Sequence, residues 1–239
     1  MGRLIVVRHG QATSPGNNGE RLSPNGEMQA RLLGIWLMRQ GFQSDAVYAG
    51  PRNRHRQTAQ LVGEMHLRGG GDWPEPTTLP QLDECNAELM LQHCLPQVMA
   101  QFPQVSALVQ AHEQAKNPDA KTLAYNRLFV TLIHLWATGS FAHPDLESWA
   151  DFAARVGTGL RTIVDRAEPD ETILIITSGG PTATFMQQAL GLAAERAVEF
   201  MWQCRHSSFS EFLYANGRLT LTSFNSVPHL DDAELWTYR

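Results

Sequence analysis

Cysteine is scarce in this 239-residue chain, with only Cys85, Cys94 and Cys204 present. Three scattered thiols make neither a disulfide scaffold nor a thiolate metal site. They read as reduced thiols in a reducing, cytoplasmic compartment. No apolar run reaches the roughly 18 residues that suggest a membrane span, so no membrane partner is expected. Cations are a minority: 19 Lys and Arg against 24 Asp and Glu leave a net charge of -5. That balance gives no reason to expect nucleic acid. His93, His112, His134 and His143 lack metal-ligand spacing, so neither metal nor cofactor is expected. Repeats and low-complexity tracts are absent. Met1-Gly2-Arg3 leads straight into an apolar run, so no signal peptide is expected.

What remains is an ordinary globular composition, 43% hydrophobic and 18% charged. The length suits a single domain, residues 1–239, carrying an insertion. Leu4-Ile5-Val6-Val7 reads as a buried strand, and Arg8-His9-Gly10 follows it without a spacer. In α/β proteins ligands gather at the carboxyl ends of parallel strands. A guanidinium fork suits phosphate, and a neutral imidazole can act as a nucleophile. The tripeptide alone is equally a strand end with a chance histidine.

A second segment adds weight. After a short strand near Ala46–Tyr48, Gly50-Pro51 turns the chain into a helix from about Arg54 to Met65. Arg54 then sits in the first turn, where the helix dipole disfavours a cation and favours an anion. A bound phosphate would reconcile the two. A solvated basic turn is the plain alternative, since Arg52, Arg54 and Arg56 are close together.

Together these segments resemble the histidine phosphatase superfamily, also called the phosphoglycerate mutase-like family. Val6-Val7-Arg8-His9-Gly10-Gln11 matches its opening Leu-x-Arg-His-Gly-Glu/Gln, with Val for Leu. Arg54-His55-Arg56-Gln57-Thr58-Ala59 matches its Arg-Ala-x-Gln-Thr-Ala, with His for Ala. Leu22-Ser23-Pro24-Asn25-Gly26-Glu27-Met28-Gln29-Ala30 is similar to its Leu-Ser/Thr-x-x-Gly-x-x-Gln-Ala helix start. Leu82-Asp83-Glu84 is similar to the segment that holds its acid. One departure stands out: the family's strand-end Ser-His-Gly-Gly is here Thr177-Ser178-Gly179-Gly180, so Ser178 replaces a second His. A serine donates one hydrogen bond but brings no charge.

The resemblance implies an α/β fold, a three-layer sandwich around a mostly parallel sheet. It implies His9 as nucleophile, Arg8 and Arg54 on the phosphoryl oxygens, and Glu84 as the acid for the leaving group. Asp83 competes with Glu84, but adjacent side chains of an extended segment point to opposite sides. Ser178 and Gly179 join the expected phosphate-binding set. Gln11, Thr13, Asn17 and Asn18 follow the nucleophile and are explained as well by loop polarity. His55 reads as a helix-surface residue. Arg205 and His206 have structural roles, or one of them partly replaces the missing His.

Between Cys85 and about Pro144 strand signals vanish and three helical patterns appear, near 88–101, 103–115 and 121–137. This insertion, about 85–145, is expected either to cap the strand ends and shape a substrate pocket or to be a plain helical layer. A core helix from Leu146 to about Ala167, an apolar strand from Thr172 to Thr177 and a helix opening at Gly179-Gly180-Pro181 follow. Ser208–Tyr214 and Arg218–Phe224 form an expected hairpin at Asn216-Gly217.

The expected function is a phosphomonoester hydrolase with a phosphohistidine intermediate, acting on a small phosphorylated metabolite. A mutase is the alternative, but it needs extra cations to hold two phosphates. Residues 85–150 carry Lys116, Lys121 and Arg127 against Glu88, Glu113, Asp119, Asp145 and Glu147. A phosphate-binding or regulatory module with little turnover is the third reading, motivated by Ser178. Oligomeric state and substrate are not written in the sequence.

Overall fold

A computed structural model describes residues 1–13 and 21–238. The sheet has six strands: β1 (Gly2–Arg8), β2 (Ala46–Ala49), β3 (Thr77–Thr78), β4 (Thr172–Thr177), β5 (Phe209–Ala215) and β6 (Arg218–Ser226). Their order is β3-β2-β4-β1-β5-β6. The pairs β2·β3, β2·β4 and β1·β4 are parallel, and the β5–β6 hairpin adds an antiparallel edge. Asn216 and Gly217 both take positive φ, 50° and 70°, as a two-residue hairpin turn demands.

Apolar residues cover both faces of the sheet. From β1, Ile5 and Val7 pack with α1 (Pro24–Arg39) and α2 (Asn53–Arg68), through Leu33, Leu37, Ala59 and Val62. Leu4 and Val6 point the other way and join α7 (Trp149–Val164), α8 (Gly179–Leu190) and α9 (Ala194–Gln203), through Phe152, Phe185 and Met201. Strand alternation therefore produces the three layers that the resemblance implied.

Caps set the helix starts. Ser23 accepts the Gly26 N–H at 3.1 Å, with Pro24 at the first helical position of α1. Ser148 accepts the Asp151 N–H at 3.1 Å, so α7 starts at Trp149 rather than Leu146.

The insertion is helical throughout: α3 (Ala87–Leu89), a π turn (Met90–Cys94), α4 (Leu95–Gln101), α5 (Pro103–Gln114) and α6 (Pro118–Ala137). The single helix expected near 88–101 is broken by Pro96, which has no N–H to return to the preceding turn. The Leu95 N–H reaches back to the Met90 carbonyl instead, the wider π spacing. Asn117 accepts the Ala120 N–H at 2.7 Å, which starts α6 three residues ahead of the expected 121. Met90, Cys94, Val98, Val105, Leu128 and Ile133 of the insertion belong to the main core. Among the described residues no helix is long and apolar enough to cross a membrane.

Candidate active site

The two central parallel strands end level with each other: Arg8 pairs with Thr177 in register. Ser178 therefore leaves β4 beside His9 leaving β1, and the His9 N–H donates to the Thr177 carbonyl at 2.8 Å. Two groups fix the His9 ring. Nδ1 lies 2.7 Å from the Gly10 carbonyl, and the Nε–H of Arg54 donates to Nε2 at 3.1 Å. A carbonyl only accepts and a guanidinium only donates, so both bonds select one tautomer, with the proton on Nδ1 and the lone pair on Nε2. Burial, reinforced by the charges of Arg54 and Arg8, holds the imidazole well below its ordinary pKa.

The loop after His9 is clamped by the motif residues. The Gly10 N–H donates to Thr58 Oγ1 at 3.2 Å, and the Leu22 N–H to Gln57 Oε1 at 2.8 Å. Gln29 Oε1 accepts the Gln11 N–H at 2.8 Å, while its amide donates to the Leu235 carbonyl and Thr237 Oγ1. Gly10 and Gly26 approach so closely that a Cβ on Gly10 would lie 2.3 Å from the Gly26 carbonyl oxygen. Only glycine fits that crossing. Gln11 is occupied by the Ser23 hydroxyl, and the Thr13 hydroxyl faces the Arg21 carbonyl. Asn17 and Asn18 lie outside the described residues.

The three clustered arginines diverge. Arg54 meets His9. Arg52 Nε donates to Asp83 Oδ1 at 2.5 Å. Arg56 turns outward to the Pro51 carbonyl and Asn53 Oδ1. Arg8 is buried and binds the Cys204 carbonyl, with Nη2 also 3.3 Å from His206 Nε2. Burial pushes the Cys204 thiol up to about 12.

Asp83 and Glu84 separate as an extended segment requires. Glu84 Oε2 accepts the Gly180 N–H at 3.0 Å and Oε1 the Cys85 N–H at 2.8 Å. Thr177 Oγ1 donates to the Leu82 carbonyl at 2.7 Å, which ties this loop to the end of β4. Gly179 opens α8, where a Cβ would lie 2.9 Å from the Met201 carbonyl oxygen.

The chain matches the family pattern of the histidine phosphatase superfamily (branch 1) over residues 4–128 and 129–227. It belongs to that family. Solved structures agree on the fold. A Bacillus stearothermophilus protein, YhfR, superposes with a TM-score of 0.65 at 20% identity, covering 97% of this chain and 100% of its own. Phosphoserine phosphatase from Entamoeba histolytica, in complex with 3-phosphoglyceric acid, gives 0.64 at 20% identity, covering 96% and 100%. A mycobacterial glucosyl-3-phosphoglycerate phosphatase with inorganic phosphate gives 0.61 at 20% identity, covering 97% and 100%. No curated protein sequence matches the chain.

At this site the structure corrects one expectation drawn from the sequence. His55 is not on the helix surface; it is fully buried, its ring centroid 5.5 Å from that of His9. The sequence carried a signal for this. Residues 55, 58, 59, 62, 63 and 66 repeat at helical spacing and form the buried stripe of α2. His55 Nε2 lies 2.7 Å from Ser178 Oγ. Burial, then the charges of Arg54 and Arg52, keeps His55 well below its ordinary pKa. His206 is also buried, its ring 5.7 Å from His9 and its Nδ1 3.0 Å from Thr237 Oγ1. Arg205 instead stacks over Trp236 and Tyr238, at 4.8 and 5.3 Å.

Beside Glu84 a cavity of about 300 Å³ opens, lined among others by Arg52, Asp83, Asn86, Trp136, Glu147 and Arg155. Arg155 forks onto both carboxylate oxygens of Glu147 at 2.9 Å. Trp136 comes from α6, so the insertion contributes a wall to this cavity as well as a core layer. Among the described residues no three His, Cys, Asp or Glu side chains are grouped to hold a metal ion.

Proposed function

We propose that the protein is a metal-independent phosphomonoester hydrolase working through a phosphohistidine at His9. The observation that carries this reading is the fixed tautomer of His9, with Nε2 unprotonated and accepting a hydrogen bond from Arg54. In this reading Nε2 attacks phosphorus, the P–O bond to the leaving group breaks, and the carboxylic acid of Glu84 supplies the leaving oxygen with its proton. Water then gives a proton to the Glu84 carboxylate and attacks phosphorus. The P–N bond breaks and inorganic phosphate leaves. Arg8 and Arg54 oppose the charge of the transition state, and the backbone at Ser178–Gly179 borders the same strand end. The cavity beside Glu84 accommodates the leaving group.

The cavity favours hydrolysis over a mutase reaction. Its two arginines face carboxylates, Arg52 on Asp83 and Arg155 on Glu147. A second phosphate would need cations of its own. Structural relatives that are phosphatases, among them phosphoserine and glucosyl-3-phosphoglycerate phosphatases, support a small phosphorylated metabolite as substrate.

The test is a phosphomonoester panel in metal-free buffer, with wild type and His9→Ala. Wild type should turn over and trap an acid-labile, base-stable phosphoenzyme, and His9→Ala should do neither. Wild-type rates in His9→Ala would overturn the mechanism. Tight phosphate binding without turnover on any ester would favour a regulatory phosphate-binding module instead.

A further inference from the structure

We propose that His206 and Thr237 are positioning residues for Arg8: the Thr237 hydroxyl oxygen locks the His206 tautomer, and the imidazole lone pair so fixed holds the guanidinium in place for the phosphoryl group on His9. This rests on the reading of Arg8 as a ligand of that group. The protons of the chain can be assigned one by one. Arg8 Nη2 lies 3.3 Å from His206 Nε2. A guanidinium only donates, so Nε2 carries the lone pair and Nδ1 the proton. The Nδ1–H then donates to Thr237 Oγ1 at 3.0 Å. The same oxygen accepts a second bond, from the Gln29 amide at 2.8 Å. That amide cannot turn round, because its oxygen takes the Gln11 N–H and its nitrogen also donates to the Leu235 carbonyl. Arg8 binds the Cys204 carbonyl as well. Carbonyl and imidazole are both neutral acceptors, so neither cancels the charge that a phosphoryl group would meet.

The backbone is bent to make this contact. Ser207 takes φ 62°, in the left-handed region that a residue with a Cβ enters rarely and holds at a cost. With that bend, the Ser207 N–H donates to the His9 carbonyl at 3.1 Å while the His206 ring meets Arg8. One turn thereby grips both members of the Arg8-His9 pair. The segment beyond β6 is pinned against this turn. The His206 N–H donates to the Thr237 carbonyl at 2.9 Å. Trp236 and Tyr238, on either side of Thr237, pack over the Arg205 guanidinium. Arg205 and His206 thus each meet a different part of the same segment. An apolar residue at 206 would serve packing without the cost of burying two ring nitrogens. A buried imidazole with both nitrogens committed is explained by the guanidinium that it orients.

The test measures kcat/KM for p-nitrophenyl phosphate, and the dissociation constant of vanadate, in wild type and six variants. These are Thr237→Val, Thr237→Ser, His206→Gln, His206→Phe, Arg8→Ala, and Arg8→Ala with Thr237→Val. Valine keeps the shape of threonine and removes the oxygen. Thr237→Val should lower kcat/KM by about 10-fold and His206→Phe by about 10²-fold, as a displaced binding group does. Vanadate, which resembles the transition state, should weaken by similar factors. Thr237→Ser restores the oxygen and should match wild type. His206→Gln brings an amide oxygen near the place of Nε2 and should exceed His206→Phe. In the Arg8→Ala background Thr237→Val should cost nothing further, because its effect passes through Arg8. A merely structural Thr237 would cost the same in both backgrounds. Vanadate carries that comparison where Arg8→Ala turns over too slowly to measure. Wild-type constants in Thr237→Val, or equal losses with and without Arg8, would overturn the proposal. Thr237 is only half-buried, so Thr237→Val decides the matter even where His206→Phe does not fold. Wild-type rates in Arg8→Ala would defeat the reading of Arg8 as a phosphoryl ligand. A slow Arg8→Ala beside a fully active Thr237→Val would defeat this inference alone.

Discussion

Glu84 and Gly180 meet through one hydrogen bond, Oε2 accepting the Gly180 N–H at 3.0 Å. The pairing depends on the missing side chain. A Cβ on residue 180 would fall 2.0 Å from Glu84 Oε1. The glycine after Ser178-Gly179 thus lets a carboxyl rest over the N-terminus of α8, next to the end of β4. Asp83, one residue earlier, is turned to Arg52 and takes no part in this contact.

Leaving-group chemistry tests that arrangement. Glu84→Gln should slow alkyl phosphates by about 10²–10⁴-fold. It should slow p-nitrophenyl phosphate far less, because that leaving oxygen scarcely needs a proton. Gly180→Ala should show the same selectivity in weaker form, since the added methyl displaces the flexible carboxyl. Asp83→Asn should not. Equal slowing of both esters in Glu84→Gln, or selectivity in Asp83→Asn, would reassign the acid.

Chelation tests the source of positive charge. Arg54 donates to His9, and in the proposed mechanism it and Arg8 supply the positive charge that a bound metal would otherwise provide. Activity should survive excess EDTA unchanged in a steady-state assay. Loss of activity that a divalent ion restores would place a metal in the reaction.

Acid should destabilise the fold before most carboxylates titrate. His9 and His55 are held well below the ordinary 6.5, and burial lowers His229 to about 4. Between the folded and unfolded pKa values the unfolded chain binds more protons, so stability falls as pH falls. Each such histidine adds at most ~1.4 kcal/mol per pH unit to the slope. For His229 the window runs from 6.5 down to about 4. Urea midpoints should therefore drop across this range, and His229→Gln should flatten the drop. A midpoint independent of pH there would contradict the neutral buried state of these rings.

Much of this was legible locally. The β-branched run before Arg8, the Ser23-Pro24 cap and the Asn216-Gly217 turn each act within a few residues, so each element followed from its own segment. The helical insertion showed itself as missing strand signals, though Pro96 broke its first helix where periodicity alone suggested none. The His55 stripe was visible as well. A charged, motif-like neighbourhood points the residue outward, whereas the 55–58–59–62 spacing points it inward.

By itself, then, the chain determined its layers, its family and the segments that supply His9, Arg8, Arg54 and Glu84, because caps, turns and periodicity are short-range effects. The assembly of the site was decided only in three dimensions. The order β3-β2-β4-β1-β5-β6 sets residues 8–9 between 177–178 on one side and the segment before β5 on the other. That order brings Ser178 to His55 across 123 residues, His206 to Arg8 across 198, and Gly180 to Glu84 across 96. Which of three neighbouring arginines meets His9, and which of two adjacent carboxylates faces α8, is likewise set by strand pairing and burial, and these act between segments that carry no local record of each other.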